Sequence, residues 1–261
     1  MAQKSKATRS NSTQTRKDSV KPRPLRGKIA VITGASRGIG LATAQSLAAA
    51  GCDLAITARD AKALAQAARK IQKHQVCVLA APCDVRDPGA VAQFFGTVGK
   101  QFRRVDILFN NAGVTHPPAP VQELSIEHWR RVVETNLTGL FLCTRAALPL
   151  MKRGAIIINN LSVAAKGNYP GASAYDASKH GAFGFTNTLR LEMRERGIRV
   201  IGLLPGPTDT AMWDVIWPGA PRNRMMSAES VASSILSAVT LPENATVEEL
   251  VIAPTGGPLN F

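Results

Sequence analysis

Residues Lys28–Gly40 read KIAVITGASRGIG, and the reading of this stretch decides the fold. Lys28–Thr33 is a short aliphatic run rich in β-branched residues, the composition of a buried strand. Ile39–Ala50 is rich in Ala and Leu and predicts a helix. Between them lies Thr33-Gly-Ala-Ser-Arg-Gly-Ile-Gly40. Glycine at a strand-to-helix turn lets the backbone approach a pyrophosphate and aims the helix N-terminus at it. A tight turn without a ligand would use glycine as well. The spacing is G-x3-G-x-G rather than the commoner G-x-G-x2-G, yet the turn stands in the first strand–helix unit, where a dinucleotide would bind. Gly34, Ser36, Arg37, Gly38, Ile39 and Gly40 are therefore candidate cofactor-binding residues.

The chain beyond this unit keeps alternating. Strands are expected at Leu54–Thr57, Val76–Ala81, Val105–Phe109, Ala155–Asn159, Ile198–Leu204 and near Glu249–Ala253. Helices are expected at Ala61–Lys73 (capped by Asp60), Pro88–Phe102, Ile126–Met151, Ser173–Arg196 and Ala228–Val239, with Pro149 disturbing the last turn of the third. Alternation of this kind implies right-handed crossovers and a parallel sheet covered on both faces. The expected fold is α/β, a single Rossmann-type doubly wound domain over residues 27–261 with a mostly or wholly parallel seven-stranded sheet.

Half of the formal net charge of +14 belongs to the N-terminal segment, where residues 1–27 hold eight Lys or Arg against Asp18 alone. Seven Ser or Thr and almost no large apolar residue before Leu25 leave nothing to bury, so residues 1–26 are read as a disordered basic tail. A targeting segment and an anion- or nucleic-acid-binding arm are the other readings of it. No apolar run is long enough to span a membrane, and the N-terminus lacks a hydrophobic signal region. Cys52, Cys77, Cys83 and Cys143 lack the paired short spacing of a zinc or redox motif, so reduced thiols and a cytoplasmic location are expected. The basic tail leaves organelle targeting open. His74, His116, His128 and His180 are scattered, and no metal site is expected.

The end of the second strand bears on the choice of cofactor. An acid there would accept hydrogen bonds from a free ribose 2′-hydroxyl. This chain has Thr57-Ala58-Arg59 instead, with Arg37 in the glycine turn as a second guanidinium. Two arginines suit a 2′-phosphate, at roughly 1.5–3 kcal/mol per charged hydrogen bond, and NADP(H) is the expected cofactor. The alternative is a pair of ordinary surface arginines, one of them neutralised by Asp60.

Downstream, Tyr175 and Lys179 stand four apart in a stretch that can be helical, which puts an ammonium beside a phenol. A fixed positive charge lowers a phenol pKa from its usual value of about 10 toward neutrality. Ser162, delivered from another element, is placed to hold a carbonyl oxygen near the tyrosine. These parts suit proton transfer to oxygen coupled to hydride transfer.

With these pieces in order, the chain resembles the single-domain short-chain dehydrogenase/reductase family over about residues 27–257. The resemblance rests on Thr33–Gly40, Asp84-Val85, Asn110-Asn-Ala-Gly113, Asn136-Leu-Thr-Gly139, Ser162, Tyr175-x3-Lys179, and Pro205-Gly206 followed by Thr210. It implies Tyr175 as general acid in reduction and base in oxidation. Lys179 lowers the tyrosine pKa and meets the nicotinamide ribose, Ser162 positions the substrate oxygen, and Asn136 holds a water in the proton relay. Asp84 and Val85 would meet the adenine, Asn111 the adenine ribose, and Pro205, Gly206 and Thr210 the carboxamide face of the nicotinamide. Asn110, Asn111 and Asn136 also have a purely structural reading, as groups that satisfy buried backbone. Two departures stand out. Leu161 precedes Ser162 where the family more usually has serine, and the C-terminal Leu250–Gly257 differs from the ending typical of 3-oxoacyl reductases, although the core motifs resemble theirs.

Residues 207–226 are expected to form an apolar lid with Met212, Trp213, Ile216, Trp217, Met225 and Met226, and the substrate is a small carbonyl or alcohol compound. Arg222 and Arg224 either meet an acidic substrate or carrier or are solvated. His116 and Pro117-Pro118 are placed at the pocket entrance. The resemblance implies a homodimer or homotetramer. A non-catalytic NADPH-binding regulator and a nucleic-acid-binding protein are the rival readings, the first opposed by the intact Ser162, Tyr175 and Lys179. No nucleic acid and no membrane is expected as a partner.

Overall fold

The computed structural model describes residues 23–257 and Leu259. The tail expected over residues 1–22 lies outside the described residues. Seven strands form one sheet: β1 (Ile29–Thr33), β2 (Asp53–Thr57), β3 (Val78–Ala80), β4 (Ile107–Asn110), β5 (Ile156–Asn160), β6 (Arg199–Pro205) and β7 (Glu249–Ile252). Their order is β3-β2-β1-β4-β5-β6-β7, and every pairing is parallel. The strand order reverses between β1 and β4, which opens a crevice at the C-terminal ends of the strands.

The helices are α1 (Gly38–Ala49), α2 (Ala61–Gln72), α3 (Pro88–Phe102), α4 (Ile126–Val133), α5 (Gly139–Ala147), α6 (Ser173–Met193), α7 (Trp213–Ile216) and α8 (Ala228–Val239). Strand side chains alternate between the two faces of the sheet. Ile32, Leu54 and Ile56 join residues of α1, α2 and α8 in one core. Val31, Ala55 and Leu108 join residues of α3, α5 and α6 in the other. Burial on both faces explains why β1 and β4 read as unbroken apolar runs rather than alternating ones.

Local signals set the helix starts. Asp60 accepts the Ala63 N–H, Asp87 accepts the Gly89 N–H ahead of Pro88, and Ser227 accepts the Ser230 N–H. The long helix expected over 126–151 is divided. A π-helical turn at Glu134–Thr138 separates α4 from α5, and a single 3-10 turn at Leu148–Leu150 carries Pro149. The wider turn lets Asn136 reach sideways to the Val114 backbone, and Thr135 bonds back to the Arg131 carbonyl. α6 stops three residues short of its expected end because the chain turns through Gly197, at φ 63°. Residues 23–26, assigned to the tail from sequence, form a turn on the domain: Leu25 is buried and donates its N–H to the Ala50 carbonyl.

One close approach ties the helix layer to the crevice. A Cβ on Gly40 would lie 2.4 Å from both the Asn111 amide nitrogen and the Gly34 carbonyl oxygen, so α1 packs there only with glycine. Gly96, in α3, faces open space. Urea unfolding is expected to show Gly40→Ala destabilised by roughly 1–3 kcal/mol. Gly96→Ala should be neutral or stabilising by up to about 1 kcal/mol, since alanine is the better helix former.

Candidate active site

A cavity of about 1450 Å³ runs across the C-terminal ends of the central strands. At one end it is walled by Gly34, Ser36, Arg37, Gly38 and Ile39, with Arg59, Asp84, Val85 and Asn111 beside them. At the other end stand Ser162, Tyr175, Lys179, Pro205, Gly206 and Thr210. Of the candidate catalytic and cofactor-binding residues, Gly40 and Asn136 do not line it.

The glycine turn is shaped by backbone contact. Gly34 has φ 65°, and a Cβ there would lie 2.8 Å from the Ala112 Cα, so the turn presses against the strand-end loop. Arg37 precedes α1 without a side-chain cap, and the first turn of α1 holds no acid. The helix N-terminus therefore keeps its positive end toward the cavity. The side chains of Arg37 and Arg59 are exposed, and among the described residues neither makes a side-chain hydrogen bond or ion pair to protein. Asp60 is engaged as the cap of α2 rather than with Arg59. Asp84 forms an ion pair with Arg86, at 2.6 and 3.0 Å, which holds its carboxyl below the ordinary range. Sequence reading did not single out Arg86.

Asn111 has a structural duty as well as a place in the wall. Its Nδ2 donates to the carbonyls of Thr33 and Gly34, and its Oδ1 accepts from Asn160 Nδ2 at 2.9 Å. The Asn160 carbonyl in turn accepts from Lys179 Nζ at 2.7 Å. Asn160 and the Thr33 carbonyl were not singled out as site groups from sequence. Their signal was position alone, at the ends of β5 and β1. Below them, Asn110 Nδ2 donates to Thr144 Oγ1 and Asn159 Oδ1, and Asn159 Nδ2 donates to Thr186 Oγ1.

Ser162 follows β5 with φ 96°, a conformation that costs a non-glycine residue on the order of 1–3 kcal/mol. Its hydroxyl accepts the Ala164 N–H at 3.2 Å and lies beside Tyr175 in the cavity wall, where it lowers the phenol. Leu161 beside it is fully buried and packs with Leu204 and Ala182, which accounts for the apolar residue where the family more usually has serine. Tyr175 lies in the first turn of α6, half-buried on the cavity wall, and Lys179 Nζ is 5.5 Å from its ring centroid.

The ionisation of this pair differs from the expectation. Burial pushes the Tyr175 phenol up to about 12, Ser162 pulls it back in part, and Asp176 raises it further. Burial also brings Lys179 down to about 8. The lysine charge meets a neutral carbonyl, and desolvation works against both charged forms. The phenol is thus held in its protonated form, and Lys179 is not among the groups that lower it.

Asn136 is engaged elsewhere. Its Oδ1 accepts the Val114 N–H, and its Nδ2 donates to the Val114 carbonyl and to Ser178 Oγ. Both amide hydrogens are used, so the side chain clamps the loop after β4 rather than reaching the cavity. In the lid, Arg222 donates to Asp209 Oδ1 and the Thr210 carbonyl, and Trp213 Nε1 donates to the Thr208 carbonyl. Arg222 therefore braces the lid itself. Trp213, Ala220 and Leu259 form its own small core. His116 and Pro118 line the cavity, as placed from sequence. Among the described residues no group of side chains could hold a metal ion, and no helix is long and apolar enough to cross a membrane.

A crevice at a strand-order reversal, a glycine turn and a serine–tyrosine–lysine trio together define a Rossmann-type oxidoreductase. Residues 28–220 match the short chain dehydrogenase family, and the chain belongs to that family. Sulfoacetaldehyde reductase 2 of Chromohalobacter salexigens is 36% identical over 87% of this chain and 94% of its own length. A 3-oxoacyl-acyl-carrier-protein reductase of Synechocystis is 35% identical over 91% of this chain and 99% of its own. An alcohol dehydrogenase from the archaeon Thermococcus sibiricus, solved in complex with 5-hydroxy-NADP, superposes with a TM-score of 0.83 at 30% identity, over 90% and 99% of the two chains.

Lys179 makes the site a measurable liability. Its folded value lies below its ordinary 10.5, so the unfolded chain binds the extra proton between about 8 and 10.5. Below that window the cost of a buried ammonium is present in full, and it fades as pH rises through the window. Lys179→Met is expected to be more stable than wild type at pH 7, by up to about 3 kcal/mol. Urea unfolding of both proteins from pH 7 to 10 should show that advantage shrinking, and a difference independent of pH would contradict the assignment.

Proposed function

We propose that the protein is an NADP(H)-dependent oxidoreductase that interconverts a carbonyl compound and a secondary alcohol, with Tyr175 as general acid and base. The observation that carries this reading is the meeting of Ser162, Tyr175 and Lys179 in the same cavity as the glycine turn. The cavity wall fits the cofactor: Gly34 and Gly38 leave backbone exposed where side chains would intrude, and α1 directs its N-terminus there. Arg37 and Arg59 suit a 2′-phosphate, and Lys179 is the group to meet the nicotinamide ribose. Asp84, Val85, Asn111, Pro205, Gly206 and Thr210 complete the wall. When bound, NADP(H) supplies or accepts the hydride.

In reduction, Ser162 Oγ donates a hydrogen bond to the carbonyl oxygen and the Tyr175 hydroxyl transfers its proton there. Lys179, still mostly cationic at pH 7, stabilises the phenolate that results. In oxidation the same phenol must first lose its proton, and its high value makes that step easier as pH rises. Asn136 supports the relay by fixing Val114 and Ser178. The lid faces Met212, Trp213, Val215, Ile216 and Trp217 toward the cavity, which favours a partly apolar carbonyl compound. Exposed Trp129 and Phe141, on α4 and α5, support a homodimer or homotetramer. We place the protein in the cytoplasm.

NADPH consumption against ketones, diketones, quinones and 3-oxoacyl thioesters tests the reading. Tyr175→Phe is expected to lose about 10²- to 10⁴-fold in kcat while still binding NADPH. Turnover equal to wild type would remove the tyrosine from the mechanism, and turnover of nothing would favour a regulator. Arg37→Ala and Arg59→Ala should each weaken NADPH about tenfold or more and leave NADH nearly unchanged, read as Kd by fluorescence titration. Alcohol oxidation should climb from pH 7 toward pH 10, whereas reduction should not need alkaline pH.

A further inference from the structure

His116 and His128, apart in the sequence, lie together near the helix that bears Tyr175. His116 is 2% exposed, and its ring stacks on His128 with centroids 6.3 Å apart. His180 stands one turn along α6, its Nδ1 2.9 Å from the Asp176 carbonyl oxygen. Asp176 is the negative charge among them and is itself 8% exposed. Its Oδ2 accepts the Tyr169 N–H at 2.7 Å, while its Oδ1 is buried without a partner.

The protein has two tyrosines, and Asp176 adjoins both of them. It follows Tyr175 in α6 and holds the backbone of Tyr169. Both tyrosines line the large cavity. Tyr169, Pro170 and Gly171 also border a second cavity of about 460 Å³, bounded further by Ser173, Asp176 and His180. The segment between the two cavities is held in part by hydrogen bonds. Asp176 supplies one, and the Ala119 N–H to the Gly171 carbonyl, at 3.0 Å, supplies another.

We propose that Asp176 is a positioning residue for the reaction: its carboxylate oxygen holds Tyr169 in the wall of the substrate cleft. Burial raises the Asp176 carboxyl, and the Tyr169 N–H, His180 and His116 pull it back.

This proposal rests on the functional reading above, and its test uses a ketone that the wild type reduces, so the two readings fail separately. Asp176→Asn keeps an amide oxygen to accept the Tyr169 N–H, and Asp176→Ala removes the acceptor. The Ala variant is expected to raise KM several-fold with kcat changed less, and the Asn variant to stay near the wild-type KM. Equal KM in the two variants overturns the tether.

Discussion

A line of hydrogen bonds along the ends of three neighbouring strands joins the two halves of the site. Asn111 holds the carbonyls of Thr33 and Gly34 at the glycine turn, Asn160 holds Asn111, and Lys179 holds the Asn160 carbonyl. Each of these groups would otherwise be a buried polar atom without a partner, at about 1–3 kcal/mol apiece. The line also dictates sequence elsewhere. Gly40 must lack a side chain because the Asn111 amide lies against it, and Gly34 must adopt a left-handed conformation to meet the same loop. A deeper row, from Thr144 through Asn110 and Asn159 to Thr186, fixes the strand ends from which Asn111 and Asn160 project.

That line sets the direction of Lys179, and burial then sets its charge. A lysine facing a neutral carbonyl in a desolvated site gains no compensating carboxylate, so its proton is held less firmly, near 8. The tyrosine one turn earlier suffers the same desolvation with the opposite consequence for its acidity, near 12. Ser162 moderates this in part, from a backbone held at φ 96°. The pair is therefore arranged as a protonated phenol beside a marginal cation, suited to giving a proton to a carbonyl oxygen.

Much of the architecture was legible because its signals are local. Asp87-Pro88 and Ser227 mark the starts of α3 and α8 by capping, and both helices span the residues expected of them. The β1 turn and the spacing of Tyr175 and Lys179 were equally plain. The long helix over 126–151 misled because its apolar pattern is continuous, whereas the π turn arises from Asn136 bonding a loop 22 residues away. Arg222 read as a free cation because nothing local shows that the lid folds back to bring Asp209 and the Thr210 carbonyl to it. Leu25 read as tail because its burial depends on Ala50, across α1.

By itself, the sequence determined the alternating fold, the place of the glycine turn and the spacing of the Ser162, Tyr175 and Lys179 trio. These follow from periodicity, capping and short spacings, which act over a few residues. Only the tertiary structure decided which charges the trio carries and what surrounds it. Desolvation of Tyr175 and Lys179, the asparagine line, and the approach of His116 to Asp176 are produced by elements distant in the chain. Ionisation depends on which groups exclude water and which face one another, and those are properties of packing.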